Sequence, residues 1–282
     1  MSKKYLGKAC AYCGAVANTV DHVFARAMFP IAQRANLIKV PACEACNGEK
    51  SRLEHYLSVV VPFGSADESI HEEFLPRFKS RLDKDRVLER EMAESMHTVT
   101  ADGERSELYF TSLREGYLQQ YAGWLIRGLM AHHFGLCGDF YIKSDIVPLE
   151  AIPLIDSMFM KLGDAMLVVE DAVPGVSYRG VVAKVNPSSS TWYVVIHGGI
   201  RLGDSRKPGK VIPVGFRAMT IAKGNFVFLE PRLFPWSGAC PPLLVSPRMH
   251  EMALFFTLNP LSGASYGQAP CYRSVRLTRP SA

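Results

Sequence analysis

Two Cys-x-x-Cys pairs near the N-terminus limit what this chain can become more than any other feature. They are "CAYC", Cys10 and Cys13, and "CEAC", Cys43 and Cys46, with twenty-nine residues between them. Each pair makes a tight knuckle that presents two thiolates to one ion, so the two together predict a tetrahedral four-cysteine zinc site. A segment this short buries little core of its own, and the metal would supply much of its folding free energy. Such a site is closed: it leaves no coordination position for water or substrate, and its role is structural. The remaining cysteines, Cys137, Cys240 and Cys271, are scattered, and the total of seven is odd. With no apolar leader in "MSKKYLGKAC", that count argues against a disulfide framework and for a cytoplasmic protein.

The rest of the chain is ordinary in bulk and uneven in detail. It has 282 residues, 48% of them hydrophobic and 21% charged, enough apolar material for a sizeable core. No apolar run reaches the length of about 18 residues that a membrane helix needs. Residues 1–66 carry eight Lys/Arg against four Asp/Glu, residues 67–165 eleven against eighteen, and residues 166–282 thirteen against five. Two basic regions thus flank an acidic one, a balance that leans toward a polyanionic partner.

These three regions also differ in texture, and the expected class is α+β. Residues 1–66 form the cysteine-rich unit, with "PFGSADES" (62–69) as a linker after it. Residues 67–165 are mainly helical. "IHEEFLPRFKSRLDKDRVLEREMAESM" has apolar residues at helical spacing, interrupted by Pro76. "HTVTADGERSELYF" predicts a hairpin turning at Asp102-Gly103. "SLREGYLQQYAGWLIRGLMAHHFG" predicts a long helix that Gly135 ends, and "PLEAIPLIDSMFMKLG" a further helix stopped by Gly163. From residue 166, short β-branched and aromatic runs predict a basic β-rich region, followed by a proline-rich, irregular C-terminal tail.

Between the knuckles lie an adjacent acid and imidazole, Asp21 and His22, then Asn36; Asn47 directly follows the second knuckle. "TVDHVF" has the β-branched flanks of a strand, and "CNGEKSRLEHYL" runs from the knuckle into a helix that starts near Asn47 and Lys50. A strand, a loop and a helix in that order bring Asp21, His22 and Asn47 together. Each alone has a plain explanation, a cap, a surface imidazole or a turn residue.

With the motifs "CAYC", "DHVFARAMFP", "ANLIKVPACEACN" and "GEK" in sequence, residues 8–60 resemble the HNH endonucleases. The family pattern is an Asp-His pair, an Asn-Leu about fourteen residues on, and a Cys-x-x-Cys-Asn-x-x-Lys ending. The resemblance implies a ββα-metal finger and metal-dependent hydrolysis of phosphodiester bonds. It implies Asp21 and Asn47 as oxygen ligands of a catalytic Mg²⁺ or Mn²⁺, His22 as general base and Asn36 as a brace for the loop that orients His22. Lys50 would contact a phosphate oxygen. It also implies nucleic acid, DNA above all, as partner, in a restriction, defence or mobile-element setting; a homodimer or protein partner could engage residues 67–282. A binding module without cleavage is the alternative. Outside the resemblance, the loop "RLGDSRKPGK" (201–210) offers Arg206, Lys207 and Lys210, and the tail "RSVRLTR" (273–279) its arginines, as phosphate contacts.

Overall fold

The fold begins with a short antiparallel ribbon. Strand β1 (Thr19–His22) pairs with β2 (Lys39–Ala42), with Asp21 opposite Val40 and His22 opposite Lys39. The connection carries two short 3₁₀ turns, Arg26–Met28 and Ile31–Gln33. Helix α1 (Glu44–Phe63) follows β2 at once. Its start is fixed by Cys43, whose sulfur accepts from the Cys46 amide and so satisfies one of the free N–H groups of the first turn. Leu53, Tyr56, Leu57, Val60 and Val61 give it a buried apolar stripe. Pro62 and Gly64 end it. The strand and the helix expected on either side of the loop are present, and the second strand β2 stands between the loop and the helix. The computed structural model describes residues 4–95, 97–100, 107–112, 114, 116–138, 140–160, 166–184, 186–203, 211–222 and 253–257.

The charged stretch after residue 67 forms two helices, α2 (Glu68–Leu82) and α3 (Arg86–Ser95). Pro76 lies inside α2; the break comes instead at residues 83–85, where Asp85 accepts from the Leu88 amide as a start signal for α3. Strands β3 (His97–Thr100) and β4 (Glu107–Ser112) form the expected antiparallel pair, with the turn itself outside the described residues.

Helix α4 (Tyr117–Phe134) ends at Gly135, which adopts φ 66°, a left-handed conformation open to glycine without steric cost. Tyr121, Leu125 and Leu129 repeat at four-residue spacing and are fully buried. Each aliphatic member contributes about 1.5–3 kcal/mol by leaving water. Helix α4 lies between the finger and the main sheet. On the finger side its backbone passes so close that a methyl on Gly128 would stand 2.7 Å from Val23 Cγ2, and Tyr121 Oη accepts from the Ala25 amide at 3.1 Å. On the other side it covers the sheet face that carries Trp192, Phe216 and Ala218.

That sheet has nine antiparallel strands among the described residues. Besides β3 and β4 they are β5 (Phe140–Pro148), β6 (Met166–Val173), β7 (Val176–Ala183), β8 (Asn186–Ile196), β9 (Ile200–Gly203), β10 (Val211–Ala222) and β11 (Ala253–Thr257). Their order is β3-β4-β11-β9-β10-β8-β7-β6, and β5 also pairs with β10. Helix α5 (Ile152–Met160) fills the expected last helical position; Gly163 lies outside the described residues.

Two differences from the sequence reading matter. Strand β5 sits in the region expected to be mainly helical, and its alternation of Phe140, Ile142 and Ile146 on one face suits its place on β10. Residues 62–69 do not act as a free linker. Ser65 is buried and donates to His197 O at 3.0 Å, Asp67 donates to His197 O at 3.1 Å, and Ala66 donates to Gly199 O at 2.8 Å. These bonds stitch the end of α1 to the β8–β9 turn. The buried side chains form a single cluster that runs from Cys10 and Phe24 through Leu125 to Trp192, so the finger and the sheet share one core.

Candidate metal centre and acid-imidazole site

The four cysteines of the two knuckles converge. The sulfurs of Cys10, Cys13, Cys43 and Cys46 all lie within 4.8 Å of one another, with Cys13 and Cys43 at 3.6 Å. A tetrahedral zinc site with Zn–S bonds of about 2.3 Å needs sulfurs roughly 3.8 Å apart. The donor set and its spacing therefore fit zinc. Two backbone amides point at the cluster: the Tyr12 amide donates to Cys10 Sγ at 3.4 Å, and the Cys46 amide holds the Cys43 thiol below its usual range, while burial pushes the Cys13 and Cys46 thiols up. Among the described residues this is the one group of three or more Cys, His, Asp or Glu side chains able to hold a metal ion.

The acid-imidazole pair sits beside this staple. Asp21 is buried, and its Oδ2 accepts from both the Tyr12 hydroxyl and the Lys50 ammonium, the latter at 2.8 Å. Tyr12 lies between Cys10 and Cys13, so the cysteine cluster sits next to one of the donors to Asp21. Burial and the Asp21 charge push the Tyr12 pKa well above 10, which keeps the phenol a donor.

Lys50 departs most from its expected place. It is 0% exposed, and its ammonium bonds Asp21, Glu54 and the His22 carbonyl oxygen, the last at 2.8 Å. It is turned inward and does not present its charge to a phosphate. The reason is electrostatic: the buried Asp21 carboxylate and the half-buried Glu54 carboxylate share one counter-charge, and Lys50 reaches both from α1. Burial pushes the Glu54 carboxyl up to about 7, against the lowering pull of Lys50.

His22 is half-buried. Desolvation, then Lys39 and Arg26, pull its pKa down to about 4. The imidazole is therefore neutral at pH 7 and free to accept a proton. Asn47, on the first turns of α1, donates to Thr19 Oγ1 at 3.2 Å, two residues before Asp21 on β1. The structure thus brings Asp21, Asn47 and Lys50 together between β1 and α1, with His22 joined to them through its backbone carbonyl on Lys50. It does not bring Asn36 there. Asn36 is exposed in the turn before β2, and its side chain makes no hydrogen bond among the described residues.

Oxygen donors suit Mg²⁺ or Mn²⁺. Asp21 Oδ1 and Asn47 Oδ1 accept no hydrogen bond among the described residues, which leaves each residue one oxygen for such an ion. Lys50 on the same carboxylate opposes a second positive charge. The pair is compatible with the ion by donor chemistry and is weakened as a site by its own buried lysine.

Arg206, Lys207, Lys210 and the 273–279 tail lie outside the described residues. Sequence reasoning passed over Tyr12 and Glu54. Glu54 carries a usable signal, since it stands four residues after Lys50 on one helix; Tyr12 carries none beyond its place in the knuckle. No helix of the described residues is long and apolar enough to cross a membrane. No protein family, curated protein or solved structure matches the chain.

Proposed function

We propose that this protein is a metal-dependent endonuclease of the HNH type, cutting phosphodiester bonds of DNA at the zinc-stapled N-terminal unit. What supports the reading is that the Asp21-His22 pair ends a strand beside a helix that carries Asn47, next to a four-cysteine cluster that could hold a metal ion. Asp21 and Asn47 would hold a divalent ion, which when bound supplies counter-charge for a phosphate and for a leaving oxygen. His22, neutral at pH 7, takes the proton of the attacking water at an imidazole nitrogen. Lys39 and Arg26, which depress the His22 pKa, also attract an anionic substrate.

A second reading, nucleic-acid binding without cleavage, is favoured by one observation: Lys50 already neutralises Asp21. Titrating Mn²⁺ into zinc-loaded protein with supercoiled plasmid separates the two. The nuclease reading expects nicked or linear DNA at rates that rise with Mn²⁺, and an Asp21→Ala protein that needs more metal or stays inactive. Intact plasmid at saturating Mn²⁺, with DNA bound, leaves the binding module.

A further inference from the structure

Tyr12 is held at both of its ends. Its amide donates to Cys10 Sγ at 3.4 Å, inside the four-cysteine cluster. Its hydroxyl donates to Asp21 Oδ2, the same oxygen that the Lys50 ammonium reaches at 2.8 Å. The ring between these ends is clamped. It meets Trp124 of α4 edge to face, with centroids 4.9 Å apart, and the Lys50 ammonium stands 5.9 Å from its centroid. The Tyr12 carbonyl accepts from Arg127, also on α4, at 3.5 Å. The Ala11 amide before it donates to Pro41 O of β2 at 2.9 Å. Tyr12 is 4% exposed.

The two donors act on one oxygen of the Asp21 carboxylate and leave the other. Oδ2 takes both the phenol and the ammonium, and Oδ1 accepts no hydrogen bond among the described residues. An unheld carboxylate turns broadly about its last bond and offers either oxygen. With Oδ2 pinned by donors from two different elements, the group is fixed and Oδ1 is the oxygen it presents. Lys50 is shared three ways, with Glu54 and the His22 carbonyl as well as Asp21. The Tyr12 hydroxyl serves Asp21 alone among the described residues. Its bond to an ionised acceptor is of the stronger, charge-assisted kind.

We propose that Tyr12 is a positioning residue that ties divalent-ion binding at Asp21 to metal occupancy of the four-cysteine cluster. This deepens the nuclease reading and rests on it for the ion at Asp21. Cys10 and Cys13 flank Tyr12, and a shared ion draws both to one point. That sets the Tyr12 backbone, and the clamped ring carries its hydroxyl to Asp21. Without the ion the first knuckle loses its cross-link. Asp21 then keeps Lys50, a charge that opposes a second cation. Outer hydrogen bonds of this kind orient a ligating carboxylate, and their loss costs about 10–100-fold in metal affinity. Two sites joined in this way favour one another in both directions.

The test is Mn²⁺ binding to zinc-loaded protein, read from the loss of the free-ion electron paramagnetic resonance signal. Tyr12→Phe keeps the ring and removes the hydroxyl. At equal zinc content it should bind Mn²⁺ about 10–100-fold more weakly than wild type. Tyr121→Phe removes a buried hydroxyl that bonds the Ala25 amide and not Asp21, and should leave Mn²⁺ affinity unchanged. A second measurement needs no variant of Tyr12. Cobalt placed in the cysteine cluster absorbs visible light through its thiolate ligands. Mg²⁺, a hard cation that prefers oxygen, should shift that absorption in wild type and not in Asp21→Ala. Tyr12→Phe that binds Mn²⁺ like wild type overturns the proposal, even if the wild-type protein cuts plasmid. An equal loss in Tyr12→Phe and Tyr121→Phe overturns it as well. If Tyr12→Phe does not fold, a cobalt spectrum that ignores Mg²⁺ overturns it. Wild-type protein whose Mn²⁺ binding does not depend on Asp21 does so too. Weakened binding in Tyr12→Phe alone, in a protein that never cuts, overturns the nuclease reading and keeps Tyr12 as the link.

Discussion

Replacing Lys50 with methionine tests the buried centre of the finger. Methionine keeps the apolar stem and removes the ammonium, so Asp21 and Glu54 lose their shared counter-charge. Removing one partner of a buried ion pair typically costs about 3–5 kcal/mol, because the remaining charge is stranded. Part of that cost is avoidable here. Glu54 already titrates at about 7, and without Lys50 it takes up a proton more readily still. We therefore expect a loss of about 3 kcal/mol at pH 8 and a smaller one at pH 5.5. The sign follows from proton uptake: carboxylates whose folded pKa is raised contribute stability below the unfolded value near 4.5 and lose it as pH rises through the folded value. Urea denaturation at both pH values measures the difference. Adding Glu54→Gln to the variant should restore part of the loss, since a neutral amide needs no counter-charge. A loss below about 1 kcal/mol at pH 8, or a loss that grows toward acid pH, would refute the account of Lys50 as an internal counter-ion.

Further outcomes follow from other parts of the fold. Metal analysis should find about one zinc per chain, and Cys43→Ser should lose both the zinc and the folded finger. Gly180→Ala would place a methyl 2.5 Å from the Trp192 ring and should cost about 1–3 kcal/mol by overpacking. Gly48→Ala meets no atom within 4 Å on helix α1 and should stabilise by up to about 1 kcal/mol through helix propensity. His197 is buried at a positive φ of 50° with its Nε2 on Met28 O. Burial lowers its pKa; the unfolded chain binds the proton first, so stability is lost as pH falls below about 6.5. His197→Asn, which tolerates that backbone, should flatten the change in urea midpoint between pH 7.5 and pH 5.

The finger was legible because its signals are local. Knuckle spacing and the β-branched flanks of Asp21-His22 each act within a few residues, and they go with the ribbon and the cysteine cluster that the structure shows. Gly135 likewise declares the end of α4. What was not legible depends on distant partners. A lysine four residues before a glutamate predicts a surface pair; only the fold places Asp21 on the same ammonium and turns all three inward. Ser65 and Ala66 look like linker residues until the β8–β9 turn supplies their hydrogen bonds.

Kinetics of plasmid cleavage by His22→Ala, with zinc content and denaturation matched to wild type, bear most directly on the central claim. The imidazole is assigned to proton transfer and touches no zinc, so the variant should fold, keep its zinc and bind DNA. Its cleavage rate at saturating Mn²⁺ should fall by about 10²–10⁴-fold. A variant that cuts at the wild-type rate contradicts the assignment of His22 as the general base and with it the proposed nuclease site.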